Sequence, residues 1–474
     1  MKATTVQGQG IDLLQDIITS WKSRLRGPVL APGDAGYEDS RTVWNAMIDR
    51  RPAMVVRCLG NADVIECVRF VREHDLLLCI KCGGHNIAGL AVADGAIMLD
   101  LSLMRGVWVD PDRRVVHAQA GCLLGEVDRE TQVHGLATVL GFISLTGITG
   151  LTLGGGIGYL TRRWGWTADN VVGMDVVTAE GRLVRASSDE NADLFWGLRG
   201  GGGNFGVVTG IDYMLHGVGP EIVGGAVAWP ASEAPGVLEL YRTLAEQAPH
   251  ELTLVAFVRP APAAPWLPKE WHGRPIVGFL ACHTGNLDEG EKAVAPIKSF
   301  GKPIGDILMP RTYVQMQSLL DATQPKGRRY YWKSEYLPRI EPALCEKIIE
   351  HAARMPSTYC AVTLFQMGGA LNQLDDSRSP VGNRDAEHVL IINASWEQPD
   401  DDAVNMEWAR RAWSDMRQFS TGGTYINFLC EDEGAERVQA ALGAALPRLA
   451  QIKARWDPHN VFRTNRNIKP TSAA

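Results

Sequence analysis

Two glycine-rich stretches are the parts of this chain whose residue types and spacing point to chemistry. The first is Gly83-Gly84-His85-Asn86 with Gly89, directly after a short apolar run. Backbone N–H groups in such a turn converge on a pyrophosphate without help from Lys or Arg, although a tight turn alone explains the motif as well. The second stretch holds Gly147, Gly150, Gly154, Gly155, Gly156 and Gly158. We expect the two loops to lie at the ends of neighbouring strands and to hold the two halves of a dinucleotide.

Three other motifs favour structural explanations. Residues 201–206 satisfy the pattern G-x-G-x-x-G, but a dinucleotide-binding turn follows a strand and opens a helix, and here a strand-like run comes after it. Cys79 and Cys82 with His85 lack the second ligand pair of a zinc site, so buried thiols are expected. The glycosylation pattern at Asn393 has no use in a cytoplasmic chain.

Composition narrows the classes of function. A chain of 474 residues suits two or three domains, and 45% hydrophobic with 21% charged residues excludes a disordered protein. The 47 basic and 54 acidic residues give a net charge of −7, which argues against nucleic acid or an anionic membrane as partner. We see no secretory signal and no apolar stretch of the roughly 18 residues that span a membrane. The scattered 9 cysteines predict a cytoplasmic protein.

The periodicity of apolar residues predicts an α+β protein. Near Gly217 glycines become fewer and prolines and tryptophans more frequent, which indicates a domain boundary. Helices are expected over residues 61–74 (capped by Asn61), 122–134, 235–247 and 403–419, and again after 434 with a break at Pro447. Strands are expected over 76–80, 97–101, 207–215, 276–280, 359–366 and 389–392, with a hairpin of 107–109 and 115–118. We therefore predict that the part after Gly217 forms an antiparallel sheet with helices packed against it.

Six segments in this order resemble the vanillyl-alcohol-oxidase-like flavoproteins, and most closely their berberine-bridge-enzyme-like branch, including bacterial 6-hydroxynicotine-oxidase-like members. They are KCGGHN (81–86), GFISLTGITGLTLGGGIGY (141–159), DNV (169–171), DLFWGLRGGGGNFGVV (193–208), YINF (425–428) and DPHNVFRTNRN (457–467). The similarity spans roughly residues 52–217 and 424–470.

The resemblance implies FAD and a particular domain order. An FAD-binding domain is formed by residues 1–217, with its core at 50–217, together with a C-terminal segment, 421–474. A substrate-binding domain of antiparallel sheet plus helices, 218–420, is inserted between them. The family also implies that His85 bonds to the flavin 8α-methyl carbon, which raises the reduction potential and prevents cofactor loss. The place of a second, cysteinyl link holds Ile143, so one histidyl attachment is expected, and Cys82 is a packing thiol.

The same resemblance assigns further residues to the FAD site. They are Lys81, Cys82, Gly83, Gly84, Asn86, Ile87, Gly89, Leu90, Gly141, Thr146, Gly147, Gly150, Leu151, Gly154, Gly155, Gly156, Gly158, Tyr159, Asn170, Gly206, Val207, Val208, Asn427, Asn465 and Asn467.

The implied reaction moves a hydride from a carbon bearing an alcohol or amine to the flavin, which dioxygen reoxidises with formation of hydrogen peroxide. A base must accept the substrate's proton. The catalytic Glu of plant relatives corresponds to Gln373, and the second Tyr of Y-x-N-Y to Phe428, and neither accepts a proton. Tyr425 keeps its hydroxyl, and Lys333 lies in a segment similar to a cavity strand of relatives, where a desolvated lysine is basic. A core phenol and a surface salt bridge are the alternatives for these two.

The inserted region also carries aromatic residues suited to a small, ring-bearing substrate. Tyr331, Trp332, Phe365 and Trp396 line a pocket in this reading, although aromatics in a sheet more often form core. A dehydrogenase with another electron acceptor, and a flavin-carrying protein that has lost its base, stay open as alternatives. The alternative of an NAD-dependent Rossmann enzyme is supported only by the G-x-G-x-x-G motif at residues 201–206, which was rejected above. No oligomeric state is indicated.

Overall fold

The computed structural model describes residues 2–471. Up to residue 217 its strands are β1 (Lys2–Thr4), β2 (Gly10–Asp12), β3 (Val29–Leu30), β4 (Met54–Arg57), β5 (Leu78–Lys81), β6 (Ile97–Asp100), β7 (Val107–Asp110), β8 (Val115–Gln119), β9 (Leu136–Ala137), β10 (Val171–Val177), β11 (Leu183–Ser187), β12 (Val207–Met214) and β13 (His216–Gly217). The helices of this part are α1 (Gln15–Lys22), α2 (Tyr37–Arg41), α3 (Asn61–Glu73), α4 (Leu124–Gln132), α5 (Ile148–Leu153), α6 (Thr161–Trp164) and α7 (Ala192–Leu198).

Two larger sheets form most of the first part of the chain. One has the order β3-β4-β6-β5, with β4 and β5 parallel to β6, and the other has the order β11-β10-β12-β8-β7, which includes the predicted hairpin β7–β8. The first glycine loop follows β5, as expected. The expectation that the second loop follows a neighbouring strand is wrong. It follows β9, which pairs with β13 in a separate sheet, and it contains helix α5. The loops therefore meet by packing.

Helix α3 confirms the predicted helix, but its N-terminus is held differently. Asn61 lies inside the first turn, and the N-cap position belongs to Gly60, which has no side chain. The carboxylate of Asp63 accepts hydrogen bonds from the backbone N–H groups of Arg26 at 2.8 Å, Gly27 at 3.2 Å and Leu59 at 2.9 Å. A buried carboxylate is stable there because three donors and the helix dipole satisfy it.

The middle of the chain forms one large sheet with helices. Its strands are β14 (Glu221–Pro230), β15 (Leu252–Pro260), β16 (Pro275–His283), β17 (Gly305–Asp306), β18 (Met309–Thr312), β19 (Arg329–Leu337), β20 (Ala361–Gln366) and β21 (His388–Trp396). Its helices are α8 (Ala234–Gln247), α9 (Leu287–Lys298), α10 (Tyr313–Gln317), α11 (Pro342–Ala352), α12 (Ala370–Gln373) and α13 (Asp402–Met416). Strands β14 and β15 are absent from the expectations because both of their faces are buried, which removes the polar–apolar alternation.

This sheet is antiparallel, with the order β17-β14-β16-β15-β20-β21-β19 and with β18 beside β14. Successive side chains of a strand point to opposite faces. In β15, Leu254, Ala256 and Val258 pack under helices α8 and α11, whereas Val255 and Phe257 look away from them. The sheet therefore has one helix-covered face and one face free to build a cavity wall. The predicted α+β class is confirmed.

The chain returns to the first sheets through α14 (Ala435–Leu442) and α15 (Leu446–Trp456). Pro447 lies in the first turn of α15, so the break precedes it rather than falling on it. The fully buried Lys453 donates hydrogen bonds to the carbonyls of Asn204 at 2.7 Å and Phe462 at 2.9 Å, and it pairs with Asp457 at 2.6 Å. These bonds tie the C-terminal segment to the strand β12 region.

Asp128 on helix α4 makes stability depend on pH. Burial raises the pKa of this carboxyl to about 7, the nearby Gln317 amide offsets that only in part, and no described residue satisfies either oxygen within hydrogen-bonding geometry. The folded protein thus holds an extra proton between about pH 4 and 7, and the stability that this proton brings is lost as the pH rises through 7. We expect Asp128→Asn to raise the free energy of unfolding at pH 8 by on the order of 4 kcal/mol and to change nothing at pH 4. Thermal unfolding measures this, and Glu130→Gln, an exposed change on the same helix, is the control. An equal effect of Asp128→Asn at both pH values contradicts the assignment.

Candidate functional site

A cavity of about 950 Å³ lies between the glycine-rich loops and the open face of the large sheet. The loops after β5 and β9 form one side. Alternate residues of the sheet form the other, among them Ala226, Val255, Phe257, Ile276, Leu280, Ala361, Thr363, Phe365, Ile391 and Asn393. Pockets for small molecules and cofactors span roughly 300–1,000 Å³, so this cavity has room for both a cofactor and a small substrate.

His85 stands in the wall of this cavity. The residue is half-buried, its Nε2 is buried and has no hydrogen-bond partner in the described part of the chain, and desolvation lowers the pKa of the imidazole to about 4. The ring stacks on Trp44, with centroids 4.4 Å apart and planes 18° from parallel, and Trp44 stacks in turn on Tyr330 at 3.7 Å. The imidazole is therefore neutral at physiological pH and held in one plane.

The two glycine loops touch through their backbones. A Cβ on Gly83 would lie 2.6 Å from the backbone of Gly147, so neither loop tolerates a side chain at the crossing. Other glycines make room for protein atoms rather than for a ligand: a Cβ on Gly154 would lie 2.1 Å from Asn427 Oδ1, and one on Gly158 would lie 1.7 Å from the carbonyl oxygen of Leu140. Gly150 alone in this stretch faces open space.

Most of the predicted cofactor residues line the cavity. They are Cys82, Gly83, Gly84, His85, Asn86, Ile87, Leu90, Gly141, Thr146, Gly147, Gly150, Leu151, Gly154, Gly206, Val207, Val208, Asn427 and Asn465. Lys81, Gly89, Gly155, Gly156, Gly158, Tyr159, Asn170 and Asn467 do not.

The residues outside the lining have structural partners. Lys81 donates to the carbonyl of Ser40, and Asn170 donates to the carbonyls of Trp164 and Trp166. Tyr159 packs edge-on against Phe142, which itself reaches the cavity. Asn467 is exposed. These side chains support the wall from behind or lie away from it, which family motifs do not reveal because a motif records sequence and not direction.

Tyr425 brings a hydroxyl to the cavity. Its oxygen accepts hydrogen bonds from the backbone N–H of Gly156 at 3.0 Å and from Asn427 Nδ2 at 2.9 Å. Burial raises its pKa above the ordinary value, while these two donors act in the opposite direction by stabilising the phenolate. Phe428 meets its ring edge-on at 4.7 Å and offers no polar group.

Neither of the other two candidate catalytic residues lines the cavity. Lys333 is buried between the carboxylates of Asp432 at 3.6 Å and Glu433 at 3.5 Å, which is a structural ion-pair cluster and not a free base. Gln373 is exposed at the end of helix α12. Because Trp332 and Lys333 are adjacent in strand β19, their side chains lie on opposite faces of the sheet. Trp332 lines the cavity and Lys333 does not.

The same alternation divides the predicted aromatic residues. Trp332 and Phe365 line the cavity, whereas Tyr331 and Trp396 face the helices. The hydroxyl of Tyr331 donates to Asp432, and the indole of Trp396 donates to Asp402. The expectation that all four form the pocket is wrong for these two, because neighbours in a strand cannot share a face.

Several lining or supporting residues were not expected from the sequence, among them Trp44, Arg259, His272 and Arg328. Trp44 lies far before the motifs, in a stretch of no periodicity. His272 belongs to the loop between β15 and β16, where its Nε2 lies 3.2 Å from the carbonyl oxygen of Leu267. Arg259 ends an apolar run that carries no sign of facing a cavity. No local signal identifies any of them.

The cysteine pair and the G-x-G-x-x-G turn each have a defined place in the fold. Cys79 lies within β5, and burial raises the pKa of its thiol and of Cys82 to about 12. No group of three metal-ligating side chains occurs within residues 2–471. The G-x-G-x-x-G turn at 201–206 follows helix α7 and precedes strand β12, the reverse of a dinucleotide-binding turn.

Comparison with known proteins identifies the family of the chain. Residues 52–187 match a family model described as an FAD binding domain, and residues 424–469 match one described as berberine and berberine like. The (R)-6-hydroxynicotine oxidase of Paenarthrobacter nicotinovorans is 30% identical over 461 residues, which cover 94% of this chain and 97% of that protein. This chain belongs to the berberine-bridge-enzyme-like FAD-linked oxidoreductases. It is thus an FAD-dependent enzyme, as the motifs predict.

Two further relatives of this berberine-bridge-enzyme-like protein cover nearly the whole chain. An FAD-linked oxidoreductase of Dictyostelium discoideum is 28% identical over 459 residues, 96% of this chain and 97% of that one. The crystal structure of 6-hydroxy-D-nicotine oxidase from Arthrobacter nicotinovorans matches with a TM-score of 0.83 at 28% identity, covering 94% of this chain and 98% of that one. No helix in the described residues combines the length and apolar character of a membrane span.

The residues of the cavity fit FAD. His85 Nε2 and Asn465 Oδ1 are buried polar atoms of lining residues that have no partner within residues 2–471. Gly150 and Gly203 present open space where a side chain would stand. A ligand that brings both polar and flat apolar surface satisfies these atoms and fills that space.

Substitutions of two glycines in the second loop distinguish a role in packing from a role in cofactor binding. In Gly154→Ala the new methyl group displaces Asn427, and we expect the free energy of unfolding to fall by about 1–3 kcal/mol. In Gly150→Ala the methyl group enters open space, so stability is kept or raised by up to about 1 kcal/mol, while FAD binding weakens. Denaturant unfolding and FAD titration in a His85→Ala background measure both. Equal destabilisation by the two changes contradicts this view of the loop.

Proposed function

We propose that this protein is an oxidase with a single covalent FAD. It oxidises a carbon that bears an alcohol or amine in a small molecule, and dioxygen is the final acceptor. Two electrons and two protons leave the substrate, and the same two electrons and two protons convert O₂ to H₂O₂. The observation that carries the proposal is the neutral, unpartnered imidazole of His85 in the wall of a glycine-lined cavity. An oxidase among the relatives at 30% identity supports it.

His85 is suited to bond to the cofactor. A nucleophilic nitrogen must be unprotonated, and the pKa of about 4 leaves this imidazole neutral at pH 7. Trp44 holds the ring plane, so little orientational freedom is lost when the bond forms. Ile143 also lines the cavity but has no nucleophile, and the Cys82 thiol with a pKa of about 12 keeps its proton. One attachment, through His85, follows.

Residues 1–217 and 421–474 bind the cofactor in this proposal, and residues 218–420 bind the substrate. The support is the position of the cavity between the glycine loops and the open sheet face, whose lining is mainly apolar. Such walls exclude water and favour a substrate with apolar or ring surface. All 9 cysteines are unpaired, in line with the cytoplasm as expected compartment.

Tyr425 takes the proton in this proposal. When bound, FAD supplies the acceptor of the electron pair, so the protein has to orient the substrate and receive one proton. No Asp, Glu or Lys occurs among the described lining residues, which leaves Tyr425 as the oxygen base at the cofactor side. The N–H groups of Gly156 and Asn427 donate hydrogen bonds to its oxygen and stabilise the phenolate form. This phenolate accepts the proton that leaves the substrate.

Mass spectrometry tests the attachment. In the wild-type protein we expect tryptic peptide 82–105 to carry the mass of FAD, and the yellow colour to stay with acid-precipitated protein. In His85→Ala the colour is released, because the lining thiol of Cys82, with a pKa of about 12, keeps its proton. Trp44→Phe, which keeps an aromatic ring against the imidazole, is the matched control and retains the adduct. A wild-type peptide of unmodified mass contradicts the attachment.

Kinetics against pH test the base. With an alcohol found by screening for peroxide, we expect kcat/KM to rise with pH across pH 6–9, because the raised pKa of Tyr425 leaves only a small phenolate fraction there. Tyr425→Phe lowers the rate by about 10²–10⁴-fold and removes the slope. His272→Gln and Gln373→Ala are the controls and keep the slope. A Tyr425→Phe protein with full turnover, or a loss of slope in His272→Gln, overturns the assignment.

A further inference from the structure

The cavity of this acidic protein carries only positive formal charge. Its described lining contains Arg259, Arg328 and Arg466 but no Asp, Glu or Lys, although the chain as a whole has a net charge of −7. Arg466 is held by the backbone, since its two terminal nitrogens donate to the carbonyls of Leu429, Cys430 and Glu433, although its Nε has no partner within residues 2–471. The other two arginines have far fewer partners.

Arg259 lies on the cavity face of β15, in phase with Val255 and Phe257. Its Nε donates to the carbonyl of Pro260 at 3.1 Å, and no carboxylate within residues 2–471 forms an ion pair with it. Burial, and next the charge of Arg328, lower its pKa to about 10, so it stays a cation at pH 7. Arg259 is half-buried in a mainly apolar wall, and a cation placed there without a counter-ion is unfavourable unless a ligand supplies the charge.

Arg328 reaches the same end of the sheet. It directly precedes β19, and the antiparallel pairings Val258↔Val362 and Arg329↔Trp396 place the end of β15, the start of β20 and the start of β19 together. Its guanidinium lies 3.7 Å from the ring centroid of Tyr359, and one nitrogen donates to the carbonyl of Thr323 at 3.2 Å. The exposed Glu397 interacts with the Tyr359 hydroxyl and pairs with neither arginine.

We propose that Arg259 and Arg328 bind an oxyanion at one end of the substrate, so that the substrate is an apolar, ring-bearing acid. Its carboxylate or phosphate lies at the arginine pair, and its ring lies along Phe257, Trp332 and Phe365. This proposal rests on the proposed function and names the substrate class. Guanidinium forks bind carboxylate and phosphate oxygens in pairs, and Tyr359 holds one fork flat by stacking. The apolar walls around the pair strengthen the interaction because little water screens it.

Binding of small aromatic probes to the holoenzyme tests the site. Benzoate and phenyl phosphate are titrated while the visible absorption of the flavin is followed, with benzamide as the neutral probe of similar shape. We expect at least one anion to bind at least tenfold more tightly than benzamide. Arg259→Gln and, independently, Arg328→Gln raise its Kd at least tenfold and leave that of benzamide unchanged. The tighter anion identifies a carboxylate or a phosphate as the natural group.

Two controls make the result specific. Arg274→Gln removes the same charge from an exposed position outside the cavity lining and is expected to leave every Kd unchanged. Arg259→Lys keeps the charge without the fork and gives an intermediate Kd, which guards against a Gln variant that fails to fold. The proposal is overturned when benzamide binds as tightly as both anions, when Arg259→Gln changes no Kd, or when the Arg259→Gln protein is produced without incorporated FAD, since the pair then serves the cofactor's phosphates.

The probe experiment needs no turnover, which separates the two proposals. Anion binding that depends on Arg259, in a protein that forms peroxide from no alcohol or amine, supports the oxyanion site and contradicts the oxidase. Peroxide formation that is insensitive to Arg259→Gln, with no preference for anions, supports the oxidase and overturns the oxyanion site.

Discussion

Where the loop after β5 crosses the loop after β9, the backbones of Gly83 and Gly147 are in contact, and a Cβ on Gly83 would lie 2.6 Å from its neighbour. This contact determines where the chain goes next. Two residues further on, the imidazole of His85 enters the wall of the cavity, with Trp44 behind it and no partner for Nε2. Close packing of the two backbones thus accompanies an unpartnered nitrogen in the cavity wall, and desolvation keeps this imidazole neutral.

The opposite wall follows from the pleat of the large sheet. One set of alternate residues is held under helices, so the other set is left to line the cavity, and it consists mainly of aliphatic and aromatic side chains. No acidic side chain lines the cavity in the described residues, and the carboxylates of Asp432 and Glu433 beside strand β19 are paired with Lys333. The cavity is therefore cationic in an acidic protein, and the local charge, not the net charge, decides which ligands are favoured.

Some of the predicted site residues line the cavity, and others lie behind its wall or away from it. Tyr425 reaches it together with Asn427, and the two share a hydrogen bond of 2.9 Å. Lys333 has the right chemistry and a buried position, but its strand directs it away. Gln373, placed by analogy with plant relatives, is exposed on a short helix. Family motifs carry the identity of a residue, and the register of a strand or the course of a loop decides whether it faces the substrate.

The amino-acid sequence by itself determined the cofactor class, the α+β architecture and the loop that carries His85, because glycines at fixed spacing and the motifs around them act over a few residues. Helices such as α3 and the hairpin β7–β8 were predictable for the same reason, since their periodicity is local. Only the tertiary structure decided that Arg259 and Arg328, at opposite ends of long stretches of chain, face one cavity beside Tyr359. That choice depends on strand register and on long-range pairing, and an apolar run buried on both faces shows neither in its sequence.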